Sequence, residues 1–173
     1  MNDTDLIALR RQKDQFFKTS PHSPLTPEQQ GAFQGIRFFA PNPTLDLVVD
    51  AERLPGDAVT MQTTSGEVRQ YQRYGRFTFT VDGETAALTV YETPHGFFLP
   101  FTDAAEDIYG GGRYLEPELL NESPDRARFE VNFNLAYNPY CAYGPGWSCP
   151  LVPLENRLKV AVRAGEKQPS EGG

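Results

Sequence analysis

The sequence has few of the residues that usually carry metal or redox chemistry. Its 173 residues include two cysteines, two histidines and one tryptophan. A structural zinc ion takes four nitrogen or sulfur ligands, so Cys141 and Cys149 would need His22, His95 or a carboxylate from far along the chain. No second close-spaced pair of ligands exists, and metal binding is the weakest interpretation of the two cysteines.

Long apolar runs and an excess of positive charge are also missing. No segment approaches the roughly 20 apolar residues of a membrane-spanning helix, and the N-terminal stretch MNDTDLIALRRQKDQFFK carries charges every few positions. Sixteen basic residues against 23 acidic ones give a net charge of −7, which repels a phosphate backbone. We therefore expect a cytoplasmic protein that binds neither nucleic acid nor membrane, with free thiols more typical there than a disulfide.

Glycine, proline and phenylalanine are abundant, at 15, 15 and 12 residues. This composition favours short strands and tight turns over a helical bundle, and the length fits one domain. We predict a mainly β protein, either an antiparallel barrel-like domain or a two-layer β domain, with an N-terminal helix and an irregular arm. The predicted boundaries within the single domain 1–173 are a helix and proline-rich arm at 1–44, a β core at 45–166 and a flexible tail at 167–173.

The N-terminal segment shows helical spacing. A capping residue among positions 2–4 predicts a helix that reaches about residue 18 and lies across a sheet. The arm TSPHSPLTPEQQGAF contains three prolines, each of which removes a backbone donor. Thr26 followed by Pro27 predicts the start of a short second helix.

Alternating apolar and polar residues predict strands in LDLVVDAE, AVTMQT, RFEVNFN and RLKVAVR. The most specific local signal is RFTFTVDGETAALTVYE. A two-residue turn at Asp82 and Gly83 predicts a hairpin with its apolar residues on one face. The predicted cross-strand pairs are Val81 with Glu84, Phe79 with Ala86 and Phe77 with Leu88.

Several longer stretches carry a family resemblance. They are RRQKDQFFKTSPHSPLTPEQQGAFQGIRFF, LPFTD, GGGRYL and NFNLAYNPYCAYGPGWSCPLVPLENRLKVAVRAGEK. Through them, over essentially the whole chain, the sequence resembles the bacterial family called domain of unknown function 1684. Asn132 stands where that family usually has aspartate, and the stretch before GGGRYL is shortened to AAEDIYG. A base or ligand supplied by that aspartate in relatives would be absent here.

The stretch NPYCAYGPGWSCPLVPLEN raises the question of what its cysteines do. Seven residues rich in glycine and proline separate Cys141 from Cys149, a spacing that lets the chain turn back. Three interpretations stay open. They are buried thiols in an aromatic-packed loop, a disulfide or redox pair, and a metal site.

Catalytic candidates are few. A nucleophilic Cys141 would need a base, which only His22 or His95 could supply among the histidines. Asp103, Glu155 and Glu166 are the carboxylates in motif positions that could act as a base. The residues alone assign no cofactor.

Arg113 and Tyr114 follow three glycines in YGGGRYL. The spacing matches neither the dinucleotide nor the Walker pattern, and a tight corner in a sheet is the favoured interpretation. An arginine at such a corner can clamp a carboxylate or phosphate.

Polar side chains recur near the C-terminus. Asn132 and Asn134 alternate on one face of a predicted strand, followed by Tyr137, Asn138 and Asn156. Such a face either meets water or lines a barrel interior, where its amides bind one another or a ligand. We therefore expect a polar or anionic small molecule to bind near Arg113, Tyr114 and these residues. A thiol-dependent or hydrolytic enzyme and a purely structural brace are the alternatives.

Overall fold

The computed structural model describes residues 1–170 and begins with the predicted helix. Helix α1 spans Asp3–Thr19, and the Asn2 side chain caps it by accepting a hydrogen bond from Asp5 N at 2.8 Å. Its Phe17 is buried and makes an edge-on contact with Tyr143, the ring centres 5.1 Å apart. The expectation that this helix lies across a sheet is wrong. Its buried aromatic residue packs in a small cluster with the arm and the segment around Tyr143 instead.

The second helix begins where the sequence predicts. Helix α2 spans Pro27–Ala32. The Thr26 hydroxyl accepts a hydrogen bond from Gln29 N at 3.1 Å, and Gln29 Oε1 accepts one from Thr26 N at 2.8 Å. This reciprocal capping box satisfies two backbone donors that the helix leaves free.

The protein is mainly β, with 38% of its residues in strands and 21% in helices. Eight antiparallel strands form a half-barrel sheet in the order β6-β5-β4-β3-β1-β8-β7, and β2 also pairs with β3. The strands are β1 Asp46–Arg53, β2 Ala58–Gln62, β3 Val68–Val81, β4 Glu84–Thr93, β5 Gly96–Phe101, β6 Arg113–Leu115, β7 Glu118–Glu122 and β8 Arg126–Asn132. Four short 3-10 helices lie at Pro43–Leu45, Phe133–Leu135, Tyr140–Ala142 and Leu154–Asn156.

The β3–β4 hairpin has the predicted register. Asp82 and Gly83 form its turn with positive φ angles of 50° and 81°. Positive φ at both positions matches the twist of the two strands. The observed pairs are Val81 with Glu84, Phe79 with Ala86 and Phe77 with Leu88, as predicted.

The concave face of the sheet holds the main apolar core. Leu88, Leu99 and Phe129 are fully buried there. Phe133 follows β8 and stacks on Phe79, the ring centres 5.1 Å apart. Residues from β1, β3, β4, β5 and β8 therefore share one continuous core.

The prediction that RLKVAVR forms a strand is wrong. Burial does alternate, since Val160 and Val162 are buried and Arg163 is exposed. No ladder forms, however, because Val162 N donates to the Asp103 carboxylate at 2.6 Å and the Val162 carbonyl accepts from Arg113. Leu158 N donates to Thr102 O and Ala104 N donates to Val160 O, each at 2.8 Å, so backbone pairing reaches only part of the segment. At Val162, side chains take the place of a partner strand.

The predicted strand RFEVNFN ends one residue after Val131. The side chain of Asn132 accepts a hydrogen bond from Asn134 N at 3.0 Å and starts a 3-10 turn. An asparagine that bonds the backbone two residues ahead competes with strand pairing.

The C-terminal end of the described chain is anchored for part of its length. Lys167 N and Gln168 N donate to the carbonyls of Arg37 and Asp107, each at 2.8 Å. Of the flexible tail predicted at 167–173, positions 171–173 lie outside the described residues. Among residues 1–170, no helix combines the length and hydropathy needed to cross a bilayer.

Candidate ligand-binding pocket

Arg113 lies in the interior, with none of its surface exposed. Its guanidinium donates to the carbonyls of Val162, Ala164 and Glu166, at 2.8 Å for the first and 3.2 Å for the last. It also pairs with the buried Asp103 carboxylate at 2.9 Å. Arg113 therefore fastens the 162–166 segment to β6, and its terminal nitrogens are all used within the protein.

Asp103 is committed to the same structure. Its second oxygen accepts from Val162 N at 2.6 Å and from Ala105 N at 3.2 Å. Burial lowers the pKa of the Arg113 guanidinium, and the adjacent Asp103 charge opposes that shift. A carboxylate held by an arginine and two backbone donors is poorly placed to act as a base.

The predicted amide residues also bond to the backbone. Asn134 accepts from Asn42 N at 2.8 Å and donates to Asn42 O at 2.9 Å, which ties the arm to the end of β8. Asn156 accepts from Thr89 N at 2.8 Å and donates to the carbonyls of Thr89 and Pro100, each at 2.9 Å. These amides join neighbouring elements, and Asn132 and Asn134 border a separate pocket of about 110 Å³.

Glu155 lies apart from the other candidates. Its carboxylate accepts from Arg73 Nε at 3.0 Å and from the hydroxyl of Tyr91. Burial, followed by the bond to Glu155, raises the pKa of Tyr91 well above its ordinary value. The structure therefore does not gather Glu155, Cys141 and Arg113 around one cavity.

The two cysteines are free thiols, Cys141 partly exposed and Cys149 buried. Burial and, second, a hydrogen bond to the Cys141 side chain raise the pKa of the Cys149 thiol to about 11. Among residues 1–170, no hydrogen bond links His22 or His95 to Cys141. The same part of the chain contains no group of three or more metal-binding side chains.

We expect the two thiols to differ in alkylation rate. At pH 8 only the thiolate of each cysteine reacts, and the raised pKa of Cys149 keeps it almost fully protonated. Iodoacetamide should label Cys141 at least about tenfold faster than Cys149 in the folded protein. Peptide mass spectrometry at successive times measures both rates, with urea-unfolded protein as the control in which the rates become similar. Equal alkylation rates in the folded protein would contradict the burial and the raised pKa of Cys149.

Aromatic residues from two distant motifs form the wall of a pocket of about 430 Å³. We call it the aromatic pocket. Tyr140 and Trp147 meet at one side with ring centres 5.0 Å apart, and Tyr114 and Tyr137 meet at 5.9 Å. The pocket is lined by Lys13, Tyr114, Tyr137, Pro139, Tyr140, Trp147, Ser148, Cys149 and Pro150.

The backbone places the tyrosines. Tyr114 N donates to Tyr137 O at 2.8 Å, and Tyr137 N donates to Tyr114 O at 3.1 Å. The hydroxyl of Tyr114 bonds to Pro150 O and that of Tyr137 to Glu116. Burial raises the pKa of both phenols, so they remain neutral at pH 7 and offer ring surface to the pocket.

Lys13 brings a cation from helix α1 to the pocket. Its ammonium lies 5.0 Å from the centre of the Tyr137 ring and pairs with the buried Glu166 carboxylate. Glu166 also accepts from Asn138 N at 3.0 Å and from the Tyr143 hydroxyl at 3.3 Å. An ammonium has three donors, so the pair leaves Lys13 able to bond to a ligand.

Three of the sequence-predicted residues therefore line the aromatic pocket, namely Tyr114, Tyr137 and Cys149. Lys13 was missed as a site residue because nothing local to helix α1 indicates that it meets a motif more than a hundred positions away. Tyr140 and Trp147 were missed as individual residues. Their signal was present, since both belong to the aromatic-rich stretch between residues 138 and 156.

These observations describe a half-barrel β protein with an aromatic pocket between its glycine corner and its cysteine-bearing segment. Residues 31–167 match the family described as Protein of unknown function (DUF1684). The chain belongs to that family.

A similar solved structure is the solution NMR structure of an uncharacterized protein from Haloarcula marismortui. It is 33% identical, covers 98% of this chain and 95% of its own, and superposes with a TM-score of 0.72. A comparison with curated proteins finds no match.

Proposed function

We propose that this protein binds a small ring-bearing molecule in the aromatic pocket, with an oxygen substituent of that molecule facing Lys13. The observation that carries the proposal is the convergence of four aromatic rings around about 430 Å³ of space. Small-molecule sites have this size and combine apolar walls with few polar groups.

The chemistry of the wall supports a ring over an extended chain. Tyr and Trp faces stack on flat or puckered rings, and such contacts add to simple burial. Lys13 supplies the one charged donor in the wall. Because Glu166 already neutralises part of its charge, a neutral or singly charged oxygen group fits better than a phosphate cluster.

In this proposal, some residues of the GGGRYL and NPYCAYGPGWSCPLVPLEN motifs and their flanks stabilise the fold, and others line the aromatic pocket. Arg113, Asn134 and Asn156 brace the fold. Tyr114 and Tyr137 face the ligand. The bracing residues hold segments that are far apart in sequence so that their rings line one pocket. The structural interpretation therefore applies to the bracing residues, and the ligand-binding interpretation applies to the tyrosines.

We place the protein in the cytoplasm as part of the same proposal. Two free thiols support it, since they are typical of a reducing compartment. Cell fractionation with an antibody to the chain tests this location.

Trp147 provides a direct test of binding because it is the only tryptophan and is 40% exposed. Benzoate, benzamide and cyclohexanecarboxylate should shift or quench its fluorescence with roughly millimolar affinity, as expected for fragments of this size. Acetate, which offers an oxygen group without a ring, should leave the signal unchanged. Titration of each compound into the reduced protein measures the effect.

Variants show whether the response comes from the aromatic pocket. Tyr140→Ala removes a wall ring that contacts Trp147 and should weaken ring binding about tenfold, in line with the cost of losing one stacked ring. Phe16→Ala removes a ring that is 39% exposed on helix α1 outside the pocket and should leave binding unchanged. No response to any ring compound, or equal effects of the two variants, would count against the proposal.

A further inference from the structure

The two thiols meet at a shared hydroxyl group. Thr64 Oγ1 lies 3.3 Å from Cys141 Sγ and accepts a hydrogen bond from Cys149 N at 3.1 Å. Thr64 N donates in turn to Cys149 O at 3.0 Å. One residue of the loop after β2 therefore holds both cysteines close together.

The chain between the cysteines is arranged as a returning loop. The Trp147 carbonyl accepts from Thr64 Oγ1 at 2.9 Å and from Cys141 Sγ at 3.3 Å. The residues before Trp147 are Gly144, Pro145 and Gly146, which allow a sharp reversal. The loop brings Trp147 back beside Cys141, and Thr64 holds the backbone of Cys149 next to the same sulfur. A disulfide requires this kind of proximity.

The two sulfurs differ in their exposure to solvent. Cys141 is partly exposed, whereas Cys149 is buried and belongs to the wall of the aromatic pocket. A dissolved reagent thus meets Cys141 first, and Cys149 is positioned to react with whatever forms there.

We propose that Cys141 and Cys149 form a thiol–disulfide exchange site that takes a low-molecular-weight disulfide, such as oxidised glutathione, as its substrate. The Cys141 thiolate attacks one glutathione sulfur, an S–S bond forms, and the first glutathione leaves as a thiolate and takes up a proton. Cys149 then loses its proton and attacks Cys141 Sγ, which releases the second glutathione. The protein is oxidised by two electrons and one oxidised glutathione becomes two reduced molecules.

The thiol pair shares Cys149 with the wall of the aromatic pocket, but its reaction needs no ring compound, only the two sulfurs and the loop that joins them. Thr64 and the Trp147 carbonyl hold the reduced pair. Binding of ring compounds is measured on the reduced protein, so failure of one proposal leaves the other intact.

Mass spectrometry of the intact protein tests the exchange. Incubation of the reduced wild type with oxidised glutathione under nitrogen should give a monomer that has lost two hydrogen atoms and carries no glutathione. Cys149→Ser should stop at a glutathione adduct on Cys141, because the resolving thiol is gone. Cys141→Ser should lose its remaining thiol at least about tenfold more slowly, because Cys149 is buried.

The wild-type result decides the proposal without depending on any variant. A stable glutathione adduct in the wild type, two thiols that persist, or a disulfide-linked dimer would overturn it. So would equal reactivity of the two serine variants, with circular dichroism confirming that both are folded.

Discussion

Arg113→Met should lower the free energy of unfolding by about 4 kcal/mol. Arg113 is the largest fully buried side chain, and its removal leaves the Asp103 carboxylate buried without a partner charge. The carbonyls of Val162 and Ala164 lose their donors as well. Urea denaturation followed by circular dichroism measures the change, which is a large share of the total stability of a domain.

Two controls identify the cause of that loss. Arg163→Met removes exposed ion pairs with Glu106 and Asp82 from the same segment and should cost much less stability, because solvent screens exposed pairs. Adding Asp103→Asn to Arg113→Met removes the unpaired charge and should restore about 2 kcal/mol. Equal effects of the Arg113 and Arg163 substitutions would show that the 162–166 segment is held by something else.

Gly165→Ala should destabilise the protein by roughly 3 kcal/mol or more. The φ angle of Gly165 is +80°, and an added Cβ would lie 2.7 Å from Ala136 O and 2.8 Å from Phe133 O. Both close contacts are with backbone oxygens, so the 162–166 segment must shift away from residues 133–136. Thermal and urea denaturation both measure the loss.

Gly83→Ala is a matched control for Gly165→Ala. Its φ angle is +81°, but an added Cβ there would meet nothing within 4 Å. The control therefore carries the backbone strain alone and should cost about 1 kcal/mol. If the two substitutions cost the same, close packing at Gly165 does not contribute.

Local features were the predictable part of the fold. The β3–β4 register follows from a turn and an alternation contained in seventeen residues, and the start of helix α2 follows from Thr26 and Pro27. RLKVAVR shows where such reasoning fails, because its alternation correctly predicts burial but not the bonding partner. At Val162 the side chains of Arg113 and Asp103 bond the backbone in place of a continuous neighbouring strand, and no short-range pattern indicates this.

The candidate pocket was predictable only to the level of the motifs that contribute to its wall. Tyr114 and Tyr137 were expected near a ligand, and the structure places both in one wall. Arg113 and Asn156 have the same sequence signature as binding residues, a polar group within a motif. Only burial and bonding partners distinguish the two roles, and these depend on contacts between segments far apart in the chain. Lys13 enters the pocket for the same reason without any motif.

NMR spectroscopy tests the central claim most directly, because Trp147 gives the protein a single indole N–H signal. Titration with benzoate should shift that signal together with the backbone amides of Tyr114, Tyr140 and Cys149, which surround the aromatic pocket. We predict chemical-shift changes that saturate as benzoate is added and that are confined to residues lining the aromatic pocket. Shifts that instead cluster around the separate pocket between Leu25 and Arg37, or an indole signal that does not move, would contradict the account.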